Sequence, residues 1–231
     1  MGAHTDERPK GLVELRGKPL IQWQLDALRG AGVREIALVT GYRAETLRFD
    51  VPAFANARWA QTNMVASLAC AAEWLRADDC IVSYADLVYP ADAPRALLAS
   101  HDDLAILCDV HWRALWERRF ADPLADAETL RLDAQDRVLE IGRRPRDFQA
   151  IDAQYMGLFK LSARGAARLL ARVERLEPAR RDSIDCTSLL DLLAGEGEPI
   201  RAIRYAGWWC ELDQASDLDV ARAILDRELP A

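Results

Sequence analysis

Apolar runs of strand length alternate along this chain with segments of helical spacing, and two of those runs end in carboxylates. That combination specifies an α/β fold, a Rossmann-like, open and mostly parallel sheet with crossover helices that binds its ligands at the carboxyl edge. The 231 residues, 51% hydrophobic and 29% charged, can bury roughly 70–75% of their unfolded surface in one core. No internal repeat, low-complexity tract or Pro/Gly-rich linker divides them, so a single domain over 1–231 is expected.

Pro19 suits a first helical turn, Ile21, Leu25 and Leu28 follow at helical spacing, and Gly30 and Gly32 close the segment, which predicts a helix over 19–31. Glu35–Thr40 is a short apolar run stopped by Gly41, as expected of a parallel strand buried on both faces. Met64, Leu68, Ala71 and Leu75 mark a second helix, and Cys80–Ala85 is a strand running into Asp86. A helix near 92–100 leads to a strand over Leu104–Val110. Residues 111–150 are polar and carry Trp112, Trp116 and the strand-like Arg137–Ile141, so they read as strands and loops inserted as a small lid. Gln154–Lys160 returns to strand, 164–176 and 186–194 to helix, 200–212 to strand, and a helix with Leu218, Ala221 and Leu225 on one face runs from Ala215 to about Leu229.

Composition narrows the function. Thirty Lys+Arg against 37 Asp+Glu leave a net charge of −7, which repels a polyphosphate backbone and argues against a general nucleic-acid binder. The five cysteines form no C-x-x-C pair and are odd in number, which fits reduced thiols of a cytoplasmic protein better than a disulfide framework or a zinc site. No run approaches the roughly 18 apolar residues of a membrane helix, and the N-terminal segment has no apolar signal core, so no membrane partner is expected. Gly2 is not followed by Ser or Thr at position 6, where Asp6 stands, which argues against myristoylation.

Several acids and cations could carry chemistry. Asp86 follows an apolar strand directly, which places its carboxylate where open α/β folds bind ligands; it reads as a hard-metal ligand or as a helix N-cap. Glu211 and Asp213, two apart at a strand end, project to one side and suit Mg²⁺, although Asp213 or Ser216 could equally cap the last helix. Arg8-Pro9-Lys10 and Gly17-Lys18-Pro19 are basic and turn-rich and suit phosphate, as do Arg143 and Arg144, although solvated surface cations are the commoner explanation of such residues. His4, His101 and His111 stand apart from any nucleophile motif. Trp112, Trp116, Trp208 and Trp209 fall in the insert or beside the acidic strand end, where they could hold an ammonium group by cation–π attraction or pack in the core.

Arg8–Leu20, Tyr84-Ala-Asp86 and Trp209-Cys-Glu-Leu-Asp213 with Ser216-Asp-Leu218 together resemble the nucleotidyltransferase superfamily, in its order and over nearly the whole chain. Thr62–Leu68, Pro123–Glu128, Gln154–Gly157 and Asp185–Thr187 are most similar to the branch of phosphocholine and phosphonate cytidylyltransferases. The resemblance implies a nucleotide-diphospho-sugar transferase-like fold and a reaction in which a phosphate or phosphonate oxygen attacks the α-phosphorus of a nucleoside triphosphate, releasing pyrophosphate. It implies that Asp86, Glu211 and Asp213 hold Mg²⁺, that Lys10 steadies the triphosphate, and that Thr62, Asn63 and Ser67 contact the nucleotide, CTP being favoured. It further implies that Arg144 meets the acceptor's phosphate in place of a lysine, while Tyr155, Asp185, Trp112, Trp208 and Trp209 line the acceptor pocket. Phosphocholine or a phosphonate such as 2-aminoethylphosphonate is the acceptor it implies, with a homodimer left open.

The resemblance also brings out a departure. The family's glycine-rich loop and the strand before it precede the Arg-Pro-Lys segment, and the sequence begins at Met1-Gly2, within or just past that loop. A start upstream of Met1 is therefore expected; without it, the chain would lack backbone donors to the triphosphate and have weakened activity. Two other readings follow from the same residues: a sugar-1-phosphate nucleotidyltransferase using a hexose 1-phosphate, and a non-catalytic, nucleotide-binding regulatory protein.

Overall fold

A computed structural model describes residues 8–229. Gly2, His4 and the Met1-Gly2 start, on which the expectations about the glycine loop and myristoylation fall, lie outside the described residues. After a short 3₁₀ turn at Lys10–Leu12, the strands β1 (Glu14–Leu15) and β2 (Lys18–Pro19) form a hairpin whose turn residues Arg16 and Gly17 both have positive φ. Pro19 then leads into α1 (Leu20–Gly30), which buries Leu20, Ile21, Leu25 and Leu28 as its spacing predicts. The chain continues through β3 (Leu38–Thr40), β4 (Ala53–Ala55), α2 (Met64–Ala69), α3 (Ala72–Ala77), β5 (Cys80–Ser83) and β6 (Leu87–Val88). Next come α4 (Asp92–Leu98), β7 (Leu104–Asp109), α5 (Trp112–Arg119), β8 (Leu130–Leu132), β9 (Val138–Ile141) and β10 (Gln154–Leu161). The helices α6 (Ala163–Glu174), α7 (Pro178–Ser183) and α8 (Cys186–Gly195), the strands β11 (Arg201–Tyr205) and β12 (Cys210–Glu211), and α9 (Asp217–Glu228) complete the chain. Among the described residues no helix is long and apolar enough to cross a membrane.

The principal sheet has four strands in the order β11-β7-β10-β5. β11 runs parallel to β7, whereas β10 lies antiparallel between β7 and β5, so three strands share a direction and one opposes them. All six residues of β7 are buried, as a strand covered on both faces must be. One apolar cluster, with Leu20, Leu107, Met156 and Leu225, fills one face; the other, with Leu68, Ile106, Phe159 and Leu189, fills the opposite face.

Three local expectations are corrected. The strand expected over Glu35–Thr40 spans only Leu38–Thr40 and pairs with β4, not with the principal sheet; Val39 is exposed because a cleft separates β3 from β5. Leu25, Leu28, Leu38 and Val82 line that cleft of about 440 Å³. The helix expected from Met64 is broken at Cys70–Ala71 into α2 and α3. Residues 111–150 begin not with strands but with α5, which turns Trp112 and Trp116 into the core, and only then give the antiparallel pair β8–β9.

β10 carries a register shift between Tyr155 and Phe159, and Gly157 within it has φ +74°. The Gly157 carbonyl accepts a hydrogen bond from the Tyr84 amide at 3.1 Å, which fixes the chain just beyond β5. A Cβ on Gly157 would lie 2.9 Å from Tyr84 Cδ2 and 3.1 Å from Leu87 Cδ1. Gly157→Ala is therefore expected to cost about 1–3 kcal/mol through backbone strain and this clash, read as a lower urea midpoint at an unchanged m-value.

Candidate active site

The acids expected to act together do converge, and a small piece of sheet is the reason. β6 and β12 pair antiparallel, with Leu87 opposite Glu211 and Val88 opposite Cys210. The ladder is extended by a bond from the Leu212 amide to the Asp86 carbonyl at 2.9 Å. Asp86, at the end of the β5 connection, thereby stands beside Glu211 and Asp213, and ligand oxygens of the three carboxylates lie within 4.8 Å of one another.

Lys10 closes the group. Its Nζ donates to Asp86 Oδ2 at 2.9 Å and to Asp213 Oδ1 at 2.8 Å. The turn bearing it can approach so closely because the next residue is glycine: a Cβ on Gly11 would lie 2.5 Å from Ile21 Cγ1 and 3.3 Å from the Ala85 carbonyl. Burial works against the Lys10 ammonium, but the charge of Asp86 and the bond to Asp213 outweigh it and hold its pKa above the ordinary lysine value. Burial and repulsion from Asp213 and Asp86 push Glu211 up to about 8. Asp213 is also raised by burial, yet its bond to Lys10 brings it below the usual carboxylate value.

The residues fit a hard divalent cation. The donor set is all oxygen, as Mg²⁺ requires. Asp86 Oδ1 is buried and accepts no hydrogen bond, a costly arrangement that a cation would relieve.

The residues expected at the nucleotide are also brought together. Asn56, a buried residue on the loop after β4, donates from Nδ2 to Thr62 Oγ1 at 2.9 Å and to Ser67 Oγ at 3.0 Å. Asn63 caps α2 through its Oδ1, which accepts from the Met64 amide, and its Nδ2 reaches the Ser183 carbonyl at 3.1 Å. Ser67 and Lys10 line the same cleft, together with Pro9, Gly11 and Tyr84.

The residues expected around an acceptor separate into two sets. Tyr155 and Tyr84 meet edge to face at 5.9 Å between centroids; both hydroxyl oxygens are buried without a conventional hydrogen bond, and burial raises both phenols well above the ordinary value. Asp185 caps α8, accepting from the Ser188 amide and hydroxyl at 2.7 and 2.8 Å. Arg144 is exposed. The tryptophans lie elsewhere. Trp112 and Trp209, 5% and 3% exposed, pack with Trp116 in the core, and Trp209 donates to Asp109 Oδ2 at 2.8 Å. Trp208 borders a separate cavity with Asp109, His111 and Arg118. Trp112 packs its large apolar ring in the core, whereas Trp209, though largely buried, borders that same separate cavity, away from the acid cluster.

Sequence reasoning missed Arg119, Asp217 and Asn56. The guanidinium of Arg119 reaches Asp217 Oδ1 at 3.2 Å, Asp213 Oδ2 at 3.1 Å and Glu211 Oε2 at 3.4 Å. Asp217 Oδ2 in turn accepts from the amides of Asp213 and Gln214, both at 2.9 Å. The spacing Asp213-x-x-x-Asp217 at a helix start was a visible local signal; Arg119, some ninety residues upstream, had none.

The MobA-like NTP transferase domain profile matches residues 1–182. The chain is 35% identical to a CTP:phosphoglutamine cytidylyltransferase of Campylobacter jejuni, over 94% of this chain and 92% of that protein. It is 23% identical to the UTP–glucose-1-phosphate uridylyltransferase AglF of Haloferax volcanii, over 97% and 90% respectively. The solved inositol-1-phosphate CTP transferase from T. maritima superposes with a TM-score of 0.75 over 98% of this chain and 91% of that one, at 14% identity, a likeness of fold. An acid-rich strand edge closed by a lysine, on this fold and with this profile over most of its length, makes the chain a nucleotidyltransferase belonging to the MobA-like NTP transferase domain family.

Proposed function

We propose that the protein is a Mg²⁺-dependent cytidylyltransferase that joins CTP to a small phosphorylated acceptor. An acceptor phosphate oxygen attacks the α-phosphorus of CTP; the new P–O bond forms as the bond to the β-phosphate oxygen breaks, and pyrophosphate leaves. The observation that carries this reading is the convergence of Asp86, Glu211 and Asp213 with Lys10 bridging two of them. The choice of CTP rests on the Campylobacter jejuni relative.

In-line displacement at phosphorus needs alignment and neutralised charge, not a covalent nucleophile. Asp86, Glu211 and Asp213 would hold Mg²⁺, which supplies Lewis-acid stabilisation of phosphate oxygens when bound. Lys10, kept cationic by its acidic neighbours, supplies a fixed positive charge at the floor of the cleft. Asn56 orders the segment bearing Thr62 and Ser67 on the nucleotide side. Arg144, exposed at the end of the β8–β9 unit, offers a bidentate guanidinium to the acceptor's phosphate.

For the acceptor, a phosphorylated amino-acid amide such as phosphoglutamine is favoured over phosphocholine or 2-aminoethylphosphonate. The relative named for that substrate matches along nearly the whole chain, and the burial of Trp112 and Trp209 removes two aromatic faces that would have favoured a quaternary ammonium.

Pyrophosphate release with Mg²⁺ tests this directly, crossing CTP, UTP, dTTP and GTP with phosphoglutamine, phosphocholine, 2-aminoethylphosphonate and glucose 1-phosphate. Turnover is expected with CTP and phosphoglutamine. UTP with glucose 1-phosphate would instead identify a sugar-phosphate enzyme, and nucleotide binding without turnover would identify a regulatory protein. Asp86→Asn and Asp213→Asn are each expected to lower kcat/KM by about 100-fold or more with the far-ultraviolet circular dichroism unchanged. Asn56→Asp replaces the donor that holds Thr62 and Ser67, and is expected to raise the KM for CTP more than that for the acceptor.

A further inference from the structure

We propose that Arg119 is a positioning residue that holds Glu211 and Asp213 in the geometry a divalent cation requires. The inference rests on the metal reading of those carboxylates.

Arg119 lies at the end of α5, and its side chain is 0% exposed, as is that of Asp217. A guanidinium sealed from water is stable only when its donors are used. Here they are distributed with a pattern. Nε and Nη2 address Asp217 at 3.2 and 3.3 Å, Nη2 also reaches Asp213 Oδ2 at 3.1 Å, and Nη1 reaches Glu211 Oε2 at 3.4 Å. Arg119 thus takes one oxygen from each of the two site carboxylates. On Asp213 the other oxygen, Oδ1, faces Lys10 and the shared cleft side.

The remaining contacts stiffen the same unit. Asp217 accepts from the amides of Asp213 and Gln214, so the guanidinium, the helix start of α9 and the turn bearing Asp213 form one braced assembly. The guanidinium also sits 5.2 Å from the Trp116 ring centroid and 4.9 Å from that of Phe120, which fix its plane. A lysine could not substitute: an ammonium carries the charge without a planar fork reaching three carboxylates. Groups that orient metal ligands from behind typically alter metal affinity by about 10–100-fold when removed.

The test is Mn²⁺ binding to the full chain without nucleotide, measured by electron paramagnetic resonance of free Mn²⁺, with folding checked by circular dichroism. Arg119→Gln is expected to raise the Mn²⁺ Kd about 10-fold or more. Arg119→Lys should fall between that variant and the unaltered chain, and Asp217→Asn should weaken binding in the same direction. In turnover, the Mg²⁺ concentration at half-maximal rate should rise while the CTP KM at saturating Mg²⁺ changes little. Loss of a positive charge alone would tighten Mn²⁺ binding, and a purely structural role would lower the melting temperature without moving the Kd. Either result overturns the proposal. Should Arg119→Gln fail to fold, an unchanged Kd in folded Arg119→Lys and Asp217→Asn overturns it equally. Absence of Mn²⁺ binding to the unaltered chain would overturn the metal reading and this inference together, whereas binding that the variants leave unchanged overturns this inference alone.

Discussion

Four carboxylates, those of Asp86, Glu211, Asp213 and Asp217, are gathered at one edge of the sheet, and two cations, Lys10 and Arg119, hold them there. Like charges brought together and withdrawn from water repel strongly. Burial and repulsion from Asp213 and Asp86 push Glu211 up to about 8 even with Arg119 beside it. Each cation bridges parts of the chain far apart in sequence: Lys10 ties the N-terminal turn to the strand ends, and Arg119 ties α5 to the start of α9. The site is consequently not a feature added to a finished fold. Its charge balance supplies several of the long-range contacts that close this side of the molecule.

The sheet prepares that arrangement through an exception to its own direction. β10 runs against β5 and β7, and the register shift at Tyr155/Phe159 with the positive φ of Gly157 lets the chain beyond β5 bend toward β12. The two-residue strands β6 and β12 then pair Leu87 with Glu211 and bring the Asp86 carbonyl to the Leu212 amide, so that Asp86 stands beside Glu211. Strands this short contribute little stability by themselves. Burial of Leu87, Val88, Cys210 and Leu212 against the core anchors the pairing, so apolar side chains fix where the polar ones meet.

Much of this was legible in the sequence because it depends on local pattern. The helical spacing of Ile21, Leu25 and Leu28, the buried run Leu104–Asp109, and the acids at the ends of apolar runs each state their element without reference to the rest of the chain. What was not legible depends on partners. Glu35–Thr40 reads as a doubly buried strand, but burial of its second edge requires a neighbour that no local pattern specifies, and β3 instead borders a cleft. The direction of β10 is invisible to periodicity, since parallel and antiparallel strands share one side-chain alternation. Trp112 is compatible with a pocket wall and with a core on composition alone, and its packing against Trp116 decides for the core, while Trp209 packs on Trp116 and also borders a cavity. Arg119 belongs to the same class, an arginine in an arginine-rich helix end until the fold delivers three carboxylates to it.

That last contact constrains how the central segment can behave. Residues 111–150, read from the sequence as an inserted lid, begin with the helix that carries Arg119 into the acid cluster. Breaking a buried ion pair by withdrawing one partner costs about 3–5 kcal/mol, so α5 cannot lift away from the site as a free flap without stranding Asp217 and loosening Asp213. Movement in this segment is instead expected beyond α5, where the exposed Arg144 and the β8–β9 hairpin extend from the fixed helix. The acid cluster and the end of α5 are thus tied together by Arg119, which leaves the residues after α5 as the part of this segment not held by that contact.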